Sequence, residues 1–342
     1  MLKKSIVILF IISVFCVNGQ QVKTEILLED KISIRALEIW DHKVWYSGTE
    51  SKFGYVSLVD ARDKKQKVLT DEKLQFRTLG QNKTDFYAIT IESPALMFKI
   101  NKRTLAKQVV LRDTAKTAFY DALHFVNDDL GYAFSDPDTD LNLKLAVSNR
   151  KGKNQWYITD QKGKPKMNKG EAAFAASNSN MASSKNYLWI ASGGATSRIF
   201  RLDLRNESWS VFNTPFIQGS SSQGIYAIDF YKDKFGIAVG GDYTKQSENI
   251  NNIATTIDGG QTWTVQASGK NRGYKSCVKI RPRSGGKDII AVGDQNVELS
   301  RDFGKTWTTI SNEKGLYVCE WTDRNTIIFA GKGRILKMNL KL

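Results

Sequence analysis

The sequence predicts an all-β protein: a seven-bladed β-propeller closed by pairing of its N- and C-terminal strands. Two repeats carry that reading. The first is an eight-residue signature present twice, 44 residues apart. Thr256-Ile257-Asp258-Gly259-Gly260-Gln261-Thr262-Trp263 matches Ser300-Arg301-Asp302-Phe303-Gly304-Lys305-Thr306-Trp307. Chemically this is a hairpin turn. Asp258 or Asp302 accepts backbone N–H bonds, Gly260 or Gly304 supplies a φ that other residues resist, and Trp263 or Trp307 packs the turn onto its sheet. A period of about 40–50 residues suggests one four-stranded blade per repeat. The second repeat is a short apolar run ending in small residues, found seven times at spacings of 38 to 57 residues.

Taken in chain order, the first element is a leader. Lys3 and Lys4 precede an apolar run from Ile6 to Val17, and Asn18-Gly19 leads into Gln20. That order of basic, apolar and small residues is a signal peptide over 1–19, and the run is short for a bilayer span. An uncleaved anchor and a lipoprotein acylated at Cys16 are the alternatives; Ser13-Val14-Phe15-Cys16 is a poor lipobox. The expected product is an exported chain over 20–342, periplasmic or secreted, with no later transmembrane segment. Val22–Leu28 then alternates partly and has no blade of its own. It is expected to complete the last blade beside Arg334–Leu340, hiding the edges that an open ring would expose.

The seven apolar runs are Val44–Gly48, Phe86–Thr90, Gly131–Ser135, Leu188–Ser192, Gly236–Gly240, Ile289–Gly293 and Ile327–Gly331. Their length and turn-residue borders fit strands buried on both faces. An inner strand is expected before each: Ile34–Leu37, Phe76–Leu79, Tyr120–Leu123, Ala172–Phe174, Tyr226–Ile228, Lys275–Val278 and Tyr317–Cys319. No helix longer than two turns is evident. The segment 149–170 breaks the pattern, with Arg150, Lys151, Lys153, Lys162, Lys164, Lys166 and Lys169 against Asp160 alone. It reads as a solvated insertion or as a contact for an acidic partner.

Composition narrows the function. Without Lys3 and Lys4, the 50 basic and 35 acidic residues leave a net charge of +13 rather than +15. For an exported chain that charge fits an anionic polysaccharide, an envelope surface or an acidic partner rather than nucleic acid, or simply a solvated basic surface. The only histidines, His42 and His124, lack neighbours at metal-ligand spacing. His42 reads as a turn residue and His124 as a packing or surface residue. No Gly-rich strand–turn–helix unit is present, so no metal, dinucleotide or other cofactor is expected. After cleavage two cysteines remain, Cys277 and Cys319, at matching positions of consecutive blades. They form either a disulfide or two buried free thiols.

One constellation stands out. Arg35, Arg77, Asp121, Glu171, Tyr226, Lys275 and Tyr317 occupy similar positions near the starts of the inner strands and are expected to face one channel mouth. Asp136, Arg198 and Asp242 join them from nearby loops, with Ser177 and Asn180. Such a mouth is either a polar ligand site or an ion-pair network satisfying buried groups. No catalytic residue set is recognisable: the Arg-Ile-Pro entry motif of sialidases is missing.

The chain resembles the YVTN/BNR-like (Asp-box) propellers akin to photosystem II stability/assembly factors, common among exported proteins of Bacteroidetes-type bacteria. The likeness rests on Ser33-Ile34-Arg35-Ala36, Phe76-Arg77, Ser93-Pro94-Ala95, Phe119-Tyr120-Asp121-Ala122, Asp136-Pro137 and Gly170–Ser177. It continues through Gly240-Gly241-Asp242, Gly273–Cys277, Val318-Cys319 and both Asp-boxes. Departures stand at Thr78, Lys275 and Tyr317. The resemblance implies a seven-bladed propeller with a scaffold or assembly role; members are often labelled oxidoreductases, but this chain carries no redox motif to match that label. The function expected is non-enzymatic binding of a protein or glycan partner at the channel mouth. A glycoside hydrolase or lyase using the same residues is the alternative.

Overall fold

The computed structural model describes residues 22–148, 155–160 and 162–340. The expected signal peptide, Cys16, and Arg150, Lys151 and Lys153 lie outside the described residues. Every regular element described is a β-strand, and the strands form antiparallel sheets arranged as a propeller.

All seven apolar runs form strands, in Lys43–Gly48, Asp85–Ile89, Leu130–Ser135, Tyr187–Ala191, Phe235–Asp242, Ile289–Val292 and Thr326–Leu340, with Thr90, Ser192 and Gly293 just past the ends of theirs. They are distributed over six sheets, so the propeller has six blades counted as continuous sheets, not the expected seven. The physical reason is the closure. The 19-residue strand Val22–Trp40 changes partner midway. Its first half pairs with the C-terminal strand, Val22 opposite Leu340 and Ser33 opposite Lys332. Its second half pairs with Lys43–Gly48, Ile34 opposite Gly48 and Trp40 opposite Lys43. The strands on either side of the seam therefore fuse into one six-stranded sheet. The strand Thr326–Leu340 itself folds back at Lys332-Gly333: the Leu340 amide donates to the Asn325 carbonyl at 2.8 Å.

Two inner strands also differ from expectation. Phe76–Leu79 makes only a bridge from Phe76 to Thr90, and the strand proper is Gly80–Gln81. Ala172–Phe174 is not the inner partner of Tyr187–Ala191. That place belongs to Met181–Ser183, Met181 opposite Ile190. Glu171–Ala172 instead pairs with Gly193–Gly194 at the edge of the next sheet, and the chain through Ala173–Ala176 is free to line a cleft. The basic segment is only partly an insertion. Trp156–Ile158 is the fourth strand of its sheet, and Trp156 is buried.

The core lies between sheets rather than inside one. Trp45 and Phe53 pack on Phe86 with ring centroids 4.6 and 5.7 Å away. Leu130, Phe134 and Leu145 meet Leu188, Ile190 and Phe200 of the next sheet. Each sheet buries both faces against neighbours, which is why central strands such as Tyr187–Ala191 and Ile289–Val292 are near-continuous apolar runs. The outermost strand Lys64–Val68 is exposed along its length, and its lysines discourage edge-to-edge pairing.

Both repeated turns fold alike. Asp258 Oδ1 accepts the Gln261 and Thr262 amides at 3.0 Å, and Thr262 Oγ1 donates to Oδ2 at 2.6 Å. Asp302 accepts the Thr306 amide at 2.9 Å and its hydroxyl at 2.6 Å. Gly260 and Gly304 have φ of +86° and +82°. Trp263 and Trp307 donate to the Gly260 and Gly304 carbonyls at 3.0 and 2.9 Å. The first turn also fastens its neighbour: the buried Trp189 of the preceding sheet donates to the Gly259 carbonyl at 2.9 Å.

Candidate functional site: the channel openings

β-Bulges position the first set of side chains. Among the inner strands, pairing slips between Ile34 and Ala36, between Ile225 and Ala227, and between Leu316 and Val318. The extra residues are Arg35, Tyr226 and Tyr317. A fourth slip, between Tyr120 and Ala122, makes Asp121 the extra residue there. A bulge takes a residue out of the in–out alternation and re-aims its side chain, commonly next to sites.

Arg35, Arg77, Asp136, Tyr226 and Tyr317 line a cleft of about 570 Å³ at one opening of the channel. The Arg35 guanidinium lies 4.2 Å above the Tyr317 ring, and its Nη1 donates to the Ala176 carbonyl at 2.9 Å. Arg77 donates to Gln75 Oε1 at 3.2 Å. Neither arginine has a carboxylate within ion-pair distance among the described residues. Burial, then the charge of Arg35, lowers the pKa of Arg77, with Asp121 opposing. The wall beside them is aromatic. Phe174 stacks on Tyr226 at 3.9 Å, and Tyr274 meets Tyr226 edge-on at 4.8 Å.

Asp121 lies wholly buried, with neither oxygen in a well-formed hydrogen bond; the Ala175 and Asp136 amides only face it. Burial, reinforced by Asp136, pushes its pKa well up, against the pull of Arg77. Asp136 is itself raised by burial although it accepts the Ala173 amide at 3.0 Å.

The remaining expected residues are used otherwise. Glu171 is buried against Arg198, Oε2 to Nη2 at 2.5 Å, and also accepts the Asn168 amide. Lys275 is buried against Glu298 at 2.8 Å. Asp242 caps Thr244, accepting its amide at 2.9 Å and hydroxyl at 2.6 Å. Nine of the ten residues thus divide between an open cleft and closed ion-pair or capping contacts, and Asp121 belongs to neither, buried without a well-formed hydrogen bond. Ser177 donates to the Ser276 carbonyl and lines the opposite opening.

That opposite opening, about 310 Å³, was missed in the sequence. Glu38, His124, Asp229, Lys279 and Glu320 line it. Glu320 Oε2 and Lys279 Nζ are 2.5 Å apart. Burial, then Glu320, pushes Glu38 up to about 8, although Gln81 donates to it at 2.7 Å. Burial lifts Asp229 to about 6 and, with Lys279, lowers His124 to about 4. Glu38, His124, Asp229 and Glu320 stand three residues after Arg35, Asp121, Tyr226 and Tyr317. That recurring offset is the signal that was available. Cys277 and Cys319 lie beside this opening as buried free thiols, their sulfurs 3.9 Å apart.

Among the described residues no group of three or more His, Cys, Asp or Glu could hold a metal, and no helix is long and apolar enough to cross a membrane.

Fold and cleft define the chain as a β-propeller with an arginine-bearing, aromatic-walled cleft at one channel opening. Among solved structures it is similar to "YCF48 bound to D1 peptide", with 13% identity, a TM-score of 0.65, and coverage of 96% of this chain and 97% of that one. It is also similar to "Crystal structure of RRP9 WD40 repeats" (11% identity, TM-score 0.65, 93% and 97% covered). "Structure of U3-55K" matches at 12% identity and a TM-score of 0.64, over 93% and 98%. At such identities the likeness is one of fold. No protein-family model and no curated protein sequence matches the chain.

Proposed function

We propose that this is an exported, non-enzymatic propeller that holds a partner in the Arg35–Arg77 cleft, in a scaffold or assembly role. The observation that carries the reading is the pair of guanidiniums with no carboxylate partner on an aromatic wall. Unpaired cations in a concave, partly desolvated site favour an anionic group, and aromatic surface adds contact area. A protein partner is favoured over a glycan because one similar propeller was solved with a peptide bound. Membership of the Asp-box family is part of the proposal, supported by the two matching turns. So is export: residues 1–19 would be removed and the chain released to the periplasm or medium.

The test is capture from envelope extract by wild type and by Arg35→Ala/Arg77→Ala. Loss of one acidic protein on the double variant, with unchanged melting, supports the cleft. Equal capture moves the site elsewhere. N-terminal sequencing of the protein recovered from that compartment tests export. A hydrolase or lyase is the second reading, motivated by the buried Asp121 beside Asp136. Glycan turnover abolished by Asp136→Asn would establish it instead.

A further inference from the structure

We propose that Cys277 and Cys319 are a peroxide-reactive dithiol that closes into a disulfide tying the seam sheet to its neighbour. Cys277 opens the strand Cys277–Ile280, and Cys319 lies in Leu316–Trp321, the first strand of the sheet that closes the ring. Their sulfurs are 3.9 Å apart, and the thiols are the only two cysteines among the described residues. A disulfide needs sulfurs about 2 Å apart, so the two must approach by about 2 Å to bond.

The two thiols are not equivalent. Ser179 Oγ donates to the Cys277 sulfur at 3.6 Å, and Cys319 S–H points at it. Burial pushes Cys277 up, but Cys319, Lys279 and Ser179 together outweigh it and bring the thiol down to about 7. Burial and the neighbouring Cys277 push Cys319 well above its ordinary range. A thiolate-forming cysteine beside a protonated partner is the arrangement of an attacking and a resolving thiol. Access is through the smaller opening, which Cys319, Ser179 and Lys279 line; Cys277 is not in that lining but is buried beside it, 3.9 Å from the Cys319 sulfur. Its volume of about 310 Å³ admits a small peroxide.

In the first step the Cys277 thiolate attacks one peroxide oxygen. The O–O bond breaks, hydroxide leaves, and Cys277 becomes a sulfenic acid. Cys319 then gives up its proton and attacks the Cys277 sulfur. The S–O bond breaks, water leaves, and the S–S bond forms. Two thiols lose two electrons, hydrogen peroxide is reduced to two waters, and the two thiol protons end in those waters.

The experiment uses the full chain with Cys16→Ser, treated with hydrogen peroxide and mapped by mass spectrometry after alkylation. The expected result is a Cys277–Cys319 cross-link, reversed by dithiothreitol, with a higher melting temperature in the oxidised form. Cys319→Ser should stop at a dimedone-trappable sulfenic acid on Cys277. Cys277→Ser should react about ten-fold or more slowly. Both thiols still alkylatable after peroxide, or equal reactivity of the two serine variants with unchanged circular dichroism, overturns the proposal.

Discussion

Single residues here divide by whether their charge is paired. Lys275 and Glu298 neutralise each other out of water, so removing one strands the other. Lys275→Met should cost about 3–5 kcal/mol in urea unfolding, and the added Glu298→Leu should restore most of it. Glu38 behaves differently. Its pKa is raised in the fold, so its contribution is complete below about pH 4.5 and disappears as pH rises to about 8. Over that window wild type should lose roughly 2–4 kcal/mol relative to Glu38→Gln, read from paired denaturation curves. Comparing the pair matters, because His124, depressed to about 4, adds an opposite slope between about pH 4 and 6.5. The sequence pointed to Arg35, Arg77, Asp136, Tyr226 and Tyr317, which share the cleft. It could not show that Glu171 and Lys275 spend their charge on Arg198 and Glu298, because those partners lie 27 and 23 residues away on other strands.

Among elements, the repeated turns were readable because their chemistry is local. Ser300, Asp302, Gly304 and Thr306 satisfy one another within one hairpin. Asp302→Ala removes two acceptor contacts from Thr306 and should destabilise by about 1–2 kcal/mol, with partner capture unchanged. Calorimetry and the capture assay read the two effects separately. The bulges were not readable. Nothing in Ile34-Arg35-Ala36 announces that Arg35 is the unpaired residue, since the slip is set by how the strand meets Ser47 and Gly48 across the pair. Glu38 consequently falls outside a simple alternation, and the second opening stayed hidden. The inner strand Met181–Ser183 was hidden for another reason: it is three residues long, and Ala172–Phe174 offers a more apolar decoy.

At the scale of the whole molecule, the ring depends on one shared strand. Removing residues 22–29 would uncover Arg334–Leu340 along its length, since the Val22–Glu29 partners run from Leu340 to Arg334. The truncated chain should melt well below wild type and be cut by protease in the C-terminal hairpin. A synthetic peptide of residues 22–33 should restore protection in trans, as donated strands do. The propeller class was legible from periodic runs and turns. The blade count was not, because runs can be counted from sequence whereas continuity between sheets is fixed only when Val22–Trp40 spans two sets of strands. The same seam sets how the molecule responds to tension. Val22 and Leu340 pair directly in antiparallel register, so a pull applied at these two positions loads the hydrogen bonds in turn rather than together. The closure that holds the ring at rest would peel open at low force from that corner, while a pull on Trp40 against Leu340 would load it in shear.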